Sequence, residues 1–189
     1  PVSGLIAAPG GSRVRGGDIG IRAGGDVRIN PGANISARGN GAGSSGGTVN
    51  IWGDNNASFH AGAVIDASAG SSGDGGAIEL SAKNLVTLAG GQFKAGAEGG
   101  RAGSILIDPS GVSFDWNGAA FDLFLDGASY SVIATDFITL NNVFISTRKV
   151  ADADATRANI EAALSTGASG SLLLQAPTIT VSGGSRLFT

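Results

Sequence analysis

A six-residue motif that recurs at nearly constant spacing constrains this chain more than any other feature. It consists of two glycines followed by a variable residue and two apolar residues, with one further residue between the apolar pair. Copies begin at residues 16, 46 and 75, and a variant with Ala in the first place begins at residue 102. The second glycine of each copy is residue 17, 47, 76 or 103, so the steps are 30, 29 and 27 residues. A period in this range predicts a stacked array in which each unit buries its apolar face against its neighbours.

Each period contains short apolar pairs about eight residues apart, as in Ile19/Ile21 and Val27/Ile29. Alternation with period two is typical of strands that bury one face. Three strands per period predict an all-β fold, a right-handed parallel β-helix, whereas propeller blades need four strands in about 40 residues. The apolar residues of the motif should then stack in register from coil to coil. They are Ile19, Ile21, Val49, Ile51, Ile78, Leu80, Ile105 and Ile107.

Glycine divides the chain, because 26 of the 33 glycines lie in residues 1–103 and seven in 104–189. We expect glycine-rich coils over 1–103 and a continuing β-helix over 104–189, together one elongated domain. Disorder is the alternative for so glycine-rich a chain, but disordered linkers do not space apolar pairs regularly. Turns such as Pro31-Gly32 and Asp74-Gly75 are expected to use positive φ at the corners. The Gly/Ser stretches 39–47 and 68–76 are predicted to be flexible loops at one corner.

One segment breaks the strand pattern and predicts a short helix over residues 152–166. Asp152 or Asp154 can cap its start, and Gly167 can end it. A helix this short is marginal alone, so we expect it to cover a side or an end of the solenoid. The residues that share its apolar face are Ala153, Thr156, Ile160, Ala163 and Leu164.

Composition narrows the function classes. The absence of Cys excludes disulfides and thiol catalysis, and with one His no metal or cofactor site is predicted. A net charge of −3 argues against a nucleic-acid-binding protein. No apolar stretch approaches the roughly 20 residues of a membrane span. Because the chain begins without Met, we expect an interior segment of a larger protein.

Catalysis is the first functional alternative, because β-helices include polysaccharide lyases and hydrolases. Glycoside hydrolysis needs two convergent carboxylates, for which the candidate pairs are Asp122 with Asp126 and Asp108 with Asp115. Neither pair has neighbouring basic residues, and His60 stands alone between Phe59 and Ala61. We therefore predict that the chain is not an enzyme, and keep a carbohydrate-active β-helix enzyme as the alternative.

Aromatic side chains provide the candidates for ligand contact. Alternation places Trp52 outward beside Asn50, and Trp116 lies between Asp115 and Asn117, a polar setting that suits stacking on a sugar. Tyr130 is the third candidate for a carbohydrate contact. The alternative is that these aromatics cover coil corners or the core. Arginines 13, 15, 22, 28 and 38 form either a basic strip for acidic polysaccharide or a solvated strand face.

Three features in a fixed order resemble a known family. Glycine-rich coils lead into GSILIDP at residues 103–109, followed by ANIEAALSTG at 158–167 and then Ile179-Thr180-Val181. In this the chain resembles the filamentous-haemagglutinin-like adhesins, the exoproteins of bacterial two-partner secretion, over roughly residues 16–184.

The resemblance implies a right-handed parallel β-helix that is secreted through an outer-membrane two-partner-secretion transporter. It also implies a structural and adhesive function at the bacterial cell surface or in the biofilm matrix, with attachment to cells, matrix or surface polysaccharide. The motifs of the family's N-terminal secretion domain do not occur in these residues.

Overall fold

The computed structural model describes residues 2, 4–114, 121–149, 156–162 and 168–189. Trp116 and Asp115 lie outside the described residues, as do residues 152–155 and 163–167 of the predicted helix and its end.

Short strands account for nearly all of the regular structure. In chain order they are β1 (Leu5–Ala7), β2 (Asp18–Ala23), β3 (Val27–Ile29), β4 (Asn34–Ser36), β5 (Thr48–Gly53), β6 (Asn56–His60), β7 (Val64–Asp66), β8 (Ala77–Ala82), β9 (Leu85–Ala89), β10 (Gln92–Lys94), β11 (Ser104–Asp108), β12 (Gly111–Phe114), β13 (Phe121–Phe124), β14 (Ser129–Ile133), β15 (Phe137–Asn141), β16 (Val143–Ser146), β17 (Leu172–Gln175), β18 (Thr178–Ser182) and β19 (Arg186–Phe188). One short helix, α1 (Arg157–Glu161), lies between β16 and β17.

Every third strand pairs in parallel, which winds the chain into a β-solenoid. The first sheet has the order β17-β14-β11-β8-β5-β2 and the second the order β18-β15-β12-β9-β6-β3. The third side carries a sheet β1-β4-β7-β10 and then a sheet β13-β16-β19. The prediction of a parallel β-helix with three short strands per coil is confirmed.

The predicted columns of the core are also confirmed. Ile19 pairs with Val49, and the same column continues through Ile78 to Ile105. The second apolar position of the motif forms another column beside it, from Ile21 to Ile107. Ile21, in the first strand of this column, is half-buried. Because each coil is covered by those above and below it, stability is close to a sum over neighbouring coils.

The glycine pair of the repeat has a different role from the one expected. Gly32 and Gly90 do adopt positive φ, at +79° and +97°. At Gly75 and Gly76 the constraint is instead space: a Cβ on Gly76 would overlap the carbonyl oxygen of Gly47 in the preceding coil. The backbones of successive coils approach each other so closely at this corner that only glycine fits.

The long Gly/Ser stretches are not the flexible loops that their composition predicts. Their backbones stack from coil to coil with hydrogen bonds, such as Gly39 N to Ser68 O at 2.9 Å and Gly43 N to Ser71 O at 2.8 Å. Ser44 is wholly buried, and its hydroxyl donates to Gly41 O at 2.6 Å. Small residues let neighbouring loops come within hydrogen-bonding distance, so these loops continue the solenoid as ordered rungs.

Helix α1 covers a side of the solenoid, which is one of the two arrangements, a side or an end, expected from the sequence. Thr156 caps its start, with its Oγ1 accepting from Asn159 N at 3.2 Å. Ile160 is wholly buried against Phe144, which points outward from the third side, and Phe124 and Phe188 pack on the same cluster. The ion pair of Arg157 with Asp122, at 2.6 Å, joins the helix to β13.

The last coil is covered on one side only. Ile179 and Val181 pair with the buried Ile138 and Leu140 but remain 42% and 52% exposed. Among the residues that the structure describes, no helix has the length and apolar character that a membrane crossing requires.

Candidate functional site

Trp52 stands on the outward face of the first sheet, as alternation predicts. The neighbours Val49 and Ile51 in β5 point inward and are buried, whereas Trp52 is half-buried. In the adjacent strands its register partners are Arg22 in β2 and Ser81 in β8. Ser81 is wholly buried although it lies on the outward side, beside Trp52. The indole therefore covers part of the sheet and leaves the rest of its surface to solvent.

A single carboxylate oxygen fixes the orientation of the indole. Trp52 Nε1 donates to Asp54 Oδ1 at 2.6 Å, and Arg22 Nη2 donates to the same oxygen at 2.7 Å. The Arg22 guanidinium carbon also lies 5.8 Å from the centroid of the Trp52 ring, within the range of a cation–π interaction. Because the indole N–H is already satisfied, a ligand at this position would meet the ring surface rather than the N–H group.

A shallow, open depression of about 380 Å³ lies beside the indole. Gly20 contributes no side chain to it, and a Cβ placed there would meet no atom within 4 Å. The side chains of Asn50 and Glu79 follow Gly20 in register in the next two strands. Glu79 Oε1 accepts from the Ser81 hydroxyl at 3.1 Å, so one carboxylate oxygen is positioned by the sheet. The depression thus combines an aromatic ring with an amide and a carboxylate, the groups that recognise polyhydroxylated ligands.

Sequence reasoning identified Trp52 and the neighbouring Asn50 but missed Gly20 and Glu79. Gly20, Asn50 and Glu79 all occupy the fifth place of the motif, between its two apolar residues, in the first, second and third copies. Aligning the three copies would have placed the three residues side by side. A polar residue at an outward strand position is common, however, and does not by itself indicate a binding site.

Tyr130 is not a carbohydrate contact in this fold. It is wholly buried, because Ile105 pairs with it in register and its ring continues the inward column of the first sheet. Its ring packs near Phe93 and Phe114, with centroids 6.3 and 6.5 Å away. Burial raises the pKa of the Tyr130 hydroxyl. The remaining candidate, Trp116, lies outside the described residues.

The five N-terminal arginines do not form one basic strip. Arg22 lies in β2 and Arg28 in β3, which belong to different sheets. Three of the five are paired with carboxylates, namely Arg15 with Asp18 at 3.0 Å, Arg22 with Asp54 at 2.7 Å and Arg28 with Asp26 at 3.2 Å. Exposed pairs of this kind contribute little stability, but they neutralise the surface toward an acidic polymer.

The acidic residues singled out from the sequence lie in separate settings. Asp122 is held by Arg157, and Asp108 is exposed at the end of β11. Asp126 occupies a turn with a φ of 44°. His60 Nε2 lies 3.2 Å from the Ser58 hydroxyl. Within the described ranges, no three His, Asp or Glu side chains gather where they could hold a metal ion.

Two aspartates, Asp18 and Asp26, directly follow glycine pairs, and side chains of the next coil contact both carboxylates. A hydrogen bond from Thr48 and the neighbouring Arg15 lower the pKa of Asp18. Asp26 accepts from Asn55 Nδ2 at 2.8 Å and from Asn56 Nδ2 at 3.1 Å, in the following coil. Both carboxylates therefore link two successive coils through side chains of the second.

The motifs that resemble the adhesin family fall on definite elements. Residues 103–109 contain β11, residues 158–161 belong to α1, and residues 179–181 belong to β18. Their order along the chain is thus strand, docked helix and strand. Comparisons with family models, with curated proteins and with solved structures find no match to this chain.

Proposed function

We propose that this chain is a rod-like adhesive segment of a large secreted bacterial surface protein, which attaches cells or matrix to carbohydrate. The observation that carries the proposal is the half-buried Trp52, held on the outward face beside an open depression with Asn50 and Glu79. A pyranose ring presents C–H groups that stack on an aromatic ring, and hydroxyls that bind amides and carboxylates.

The rigidity of the site favours binding. Asp54 engages both the Trp52 indole and Arg22, so the ring does not have to be ordered when a ligand arrives. Strand positions also place the contacting groups more precisely than loops do. Less conformational entropy is lost on binding, which is the general advantage of a pre-organised surface.

Secretion through an outer-membrane two-partner-secretion transporter is part of the proposal. The resemblance at residues 103–109 and 158–167 supports it, and a chain without cysteine needs no disulfide formation after export. A solenoid whose coils contact only their neighbours can also fold progressively as it emerges from a pore.

The test is binding of the purified chain to a printed glycan collection and to isolated matrix polysaccharide. Stacking on an aromatic is worth roughly 1–3 kcal/mol, so Trp52→Ala should weaken binding by about 5- to 150-fold. Trp52→Phe, which keeps a ring, should retain an intermediate affinity. Trp116→Ala is predicted to weaken binding more than Trp52→Ala, since its polar neighbours suit an oriented sugar.

A matched control is Leu173→Ala, which alters an exposed side chain of the same sheet at 44% exposure, away from the depression. It should bind as the parent does. Full binding by Trp52→Ala would place the adhesive contact elsewhere. Release of new reducing ends from the polysaccharide would instead favour the enzyme alternative.

A further inference from the structure

The second sheet carries a row of hydroxyl side chains on its outward face. Alternation points one central residue of each strand outward, and parallel pairing aligns these residues from coil to coil. The row consists of Ser58, Thr87, Ser113, Thr139 and Thr180. Neighbouring parallel strands are roughly 4.8 Å apart, so the five hydroxyls span about 19 Å along the solenoid axis.

Most of these hydroxyls have unused hydrogen-bonding capacity. The Ser58 hydroxyl lies 3.2 Å from His60 Nε2. Among the described residues, the structure gives no protein partner for the hydroxyls of the other four, Thr87, Ser113, Thr139 and Thr180. Each can both donate and accept, so the row is an array of hydrogen-bonding groups at regular spacing.

A second row beside the hydroxyls is apolar. Leu85, Gly111 and Phe137 align in register in β9, β12 and β15, and all three lie on the outward side. The Phe137 ring lies over Gly111, where an added Cβ would be 2.5 Å from Phe137 Cε1. Glycine at position 111 thus lets the ring lie flat against the sheet, half-exposed, next to the hydroxyl row.

Charge is absent from this surface. No Asp, Glu, Lys or Arg occurs in β6, β9, β12, β15 or β18. The first sheet differs, since its outward positions include Asp18, Arg22 and Glu79. Arg28 continues the row into β3, where it is paired with Asp26. A polymer attracted by charge would find no complementary groups on the five strands from β6 to β18, whereas an uncharged ligand with hydroxyls and C–H faces would lose no ionic solvation there.

We propose that this face, the outward surface of β6, β9, β12, β15 and β18, binds an extended neutral polysaccharide that lies along the solenoid axis. The hydroxyl row bonds the edges of successive sugars, and Leu85 and the Phe137 ring contact their C–H faces. The strand spacing is close to the length that one sugar adds to an extended β-linked chain, so about four sugars fit the row. The inference rests on the proposed adhesive function in taking a glycan as ligand, but it uses none of the residues at Trp52.

The probe is cellohexaose, a soluble neutral β-1,4-linked oligosaccharide, measured by titration calorimetry with the full chain. Maltohexaose, which is α-linked and curved, serves as the comparison and should bind more weakly. Combining Thr87→Val, Ser113→Ala and Thr139→Val removes three hydroxyls from half-buried, outward strand positions while keeping strand-compatible shapes. The combined variant should bind cellohexaose at least about tenfold more weakly. Phe137→Leu should cost about fivefold or more, through loss of the ring.

Two matched variants separate this surface from the rest of the molecule. Ser131→Ala removes an outward hydroxyl from the first sheet and should leave the affinity unchanged, in contrast to Ser113→Ala. Trp52→Ala should also leave cellohexaose binding unchanged. Thermal unfolding of each variant verifies that the fold is retained.

Several results would overturn the inference. Failure of the parent chain to bind cellohexaose would overturn it, and the Trp52 experiment would then test the adhesive function by itself. Equal affinity of the parent and the triple variant for cellohexaose would also overturn it. Loss of binding in Trp52→Ala alone would assign the glycan-binding site to the depression beside Trp52 instead. A concentration-dependent mass that the triple variant abolishes would make the face a contact between copies of the chain.

Discussion

The side-chain amide of Asn55 donates a hydrogen bond to Asp26 Oδ1 at 2.8 Å, joining the same corner of two successive coils. Asn84 in the next coil continues the arrangement, with its Nδ2 donating to Asn55 Oδ1 at 2.6 Å. Arg28 pairs with the other Asp26 oxygen at 3.2 Å. A polar ladder therefore runs along this corner beside the apolar columns of the core, and it begins at an ionised carboxylate.

The first prediction concerns acid. The hydrogen bond from Asn55, followed by that from Arg28, lowers the pKa of Asp26 below its usual value of 3.8. A group whose pKa is lower in the folded state stabilises the fold above the unfolded value and loses that contribution as the pH falls through the folded one. We expect the parent to be more stable than Asp26→Asn at neutral pH, with the difference shrinking progressively as the pH falls below 3.8.

Urea unfolding followed by circular dichroism across this range measures both midpoints. Asp136→Asn is the control, because Asp136 lies at an exposed turn where the structure describes no partner for its side chain. A difference between the parent and Asp26→Asn that persists unchanged in acid would contradict the ladder's dependence on the charge.

The second prediction uses two glycines with opposite surroundings. Gly76→Ala would drive a methyl group into the Gly47 carbonyl of the coil before it, so the backbones must separate. We expect a loss of more than about 2 kcal/mol in the free energy of unfolding. Gly24→Ala meets no atom within 4 Å and should be neutral or slightly stabilising. Equal stability of the two variants would show that the close approach at the corner is not needed.

The third prediction concerns the Tyr130 hydroxyl, which is buried and has no hydrogen-bond partner among the described residues. Leaving a hydroxyl unpaired in an apolar core costs about 1–3 kcal/mol. Tyr130→Phe keeps the ring and should therefore raise the free energy of unfolding by about 1 kcal/mol or more. A lower melting temperature for the variant would reveal a partner for the hydroxyl. Phe93→Tyr, which adds a second buried hydroxyl, should be destabilising.

The fourth prediction concerns the docking of α1. Ile160 is its described buried residue, and it packs on Phe144. Ile160→Ala should weaken docking by about 2–5 kcal/mol. Hydrogen exchange should then accelerate in α1 and β16 while β5 and β8 stay protected, because the core columns do not involve the helix. Ala158→Ser, at an exposed position of the same helix, is the control and should leave exchange unchanged.

Much of the fold could be predicted because the repeat encodes it twice, in the glycine pair and in the apolar alternation. The columns from Ile19 to Ile105 follow directly from aligning the copies. Tyr130 was misplaced because Ser129-Tyr130-Ser131-Val132 lacks the glycine pair, although its alternation matches the motif. Counting one more period would have moved its side chain from the surface into the column.

The surface was harder to predict than the core. The Phe137 ring can lie over Gly111 only because the two residues pair in register in successive coils. From the sequence alone, glycine is interpreted as a turn residue rather than as a position that an aromatic ring covers. The ordered Gly/Ser loops were mispredicted for a related reason. Their composition is that of flexible linkers, and their order comes from hydrogen bonds to residues about 29 positions away, such as Gly43 N to Ser71 O.

The parallel pairing of coils also determines how the molecule responds to tension. Hydrogen bonds between strands run along the solenoid axis, so a pull along that axis loads every boundary between coils in series. The weakest terminal boundary then yields first, and the others remain intact. A glycine-rich coil that detaches frees the 27 to 30 residues of one period, roughly 100 Å of extended chain. The last coil, from Tyr130 to its register partner Leu172, frees 42 residues. In an adhesive rod, such stepwise lengthening would absorb mechanical work and limit the force that reaches the bound surface.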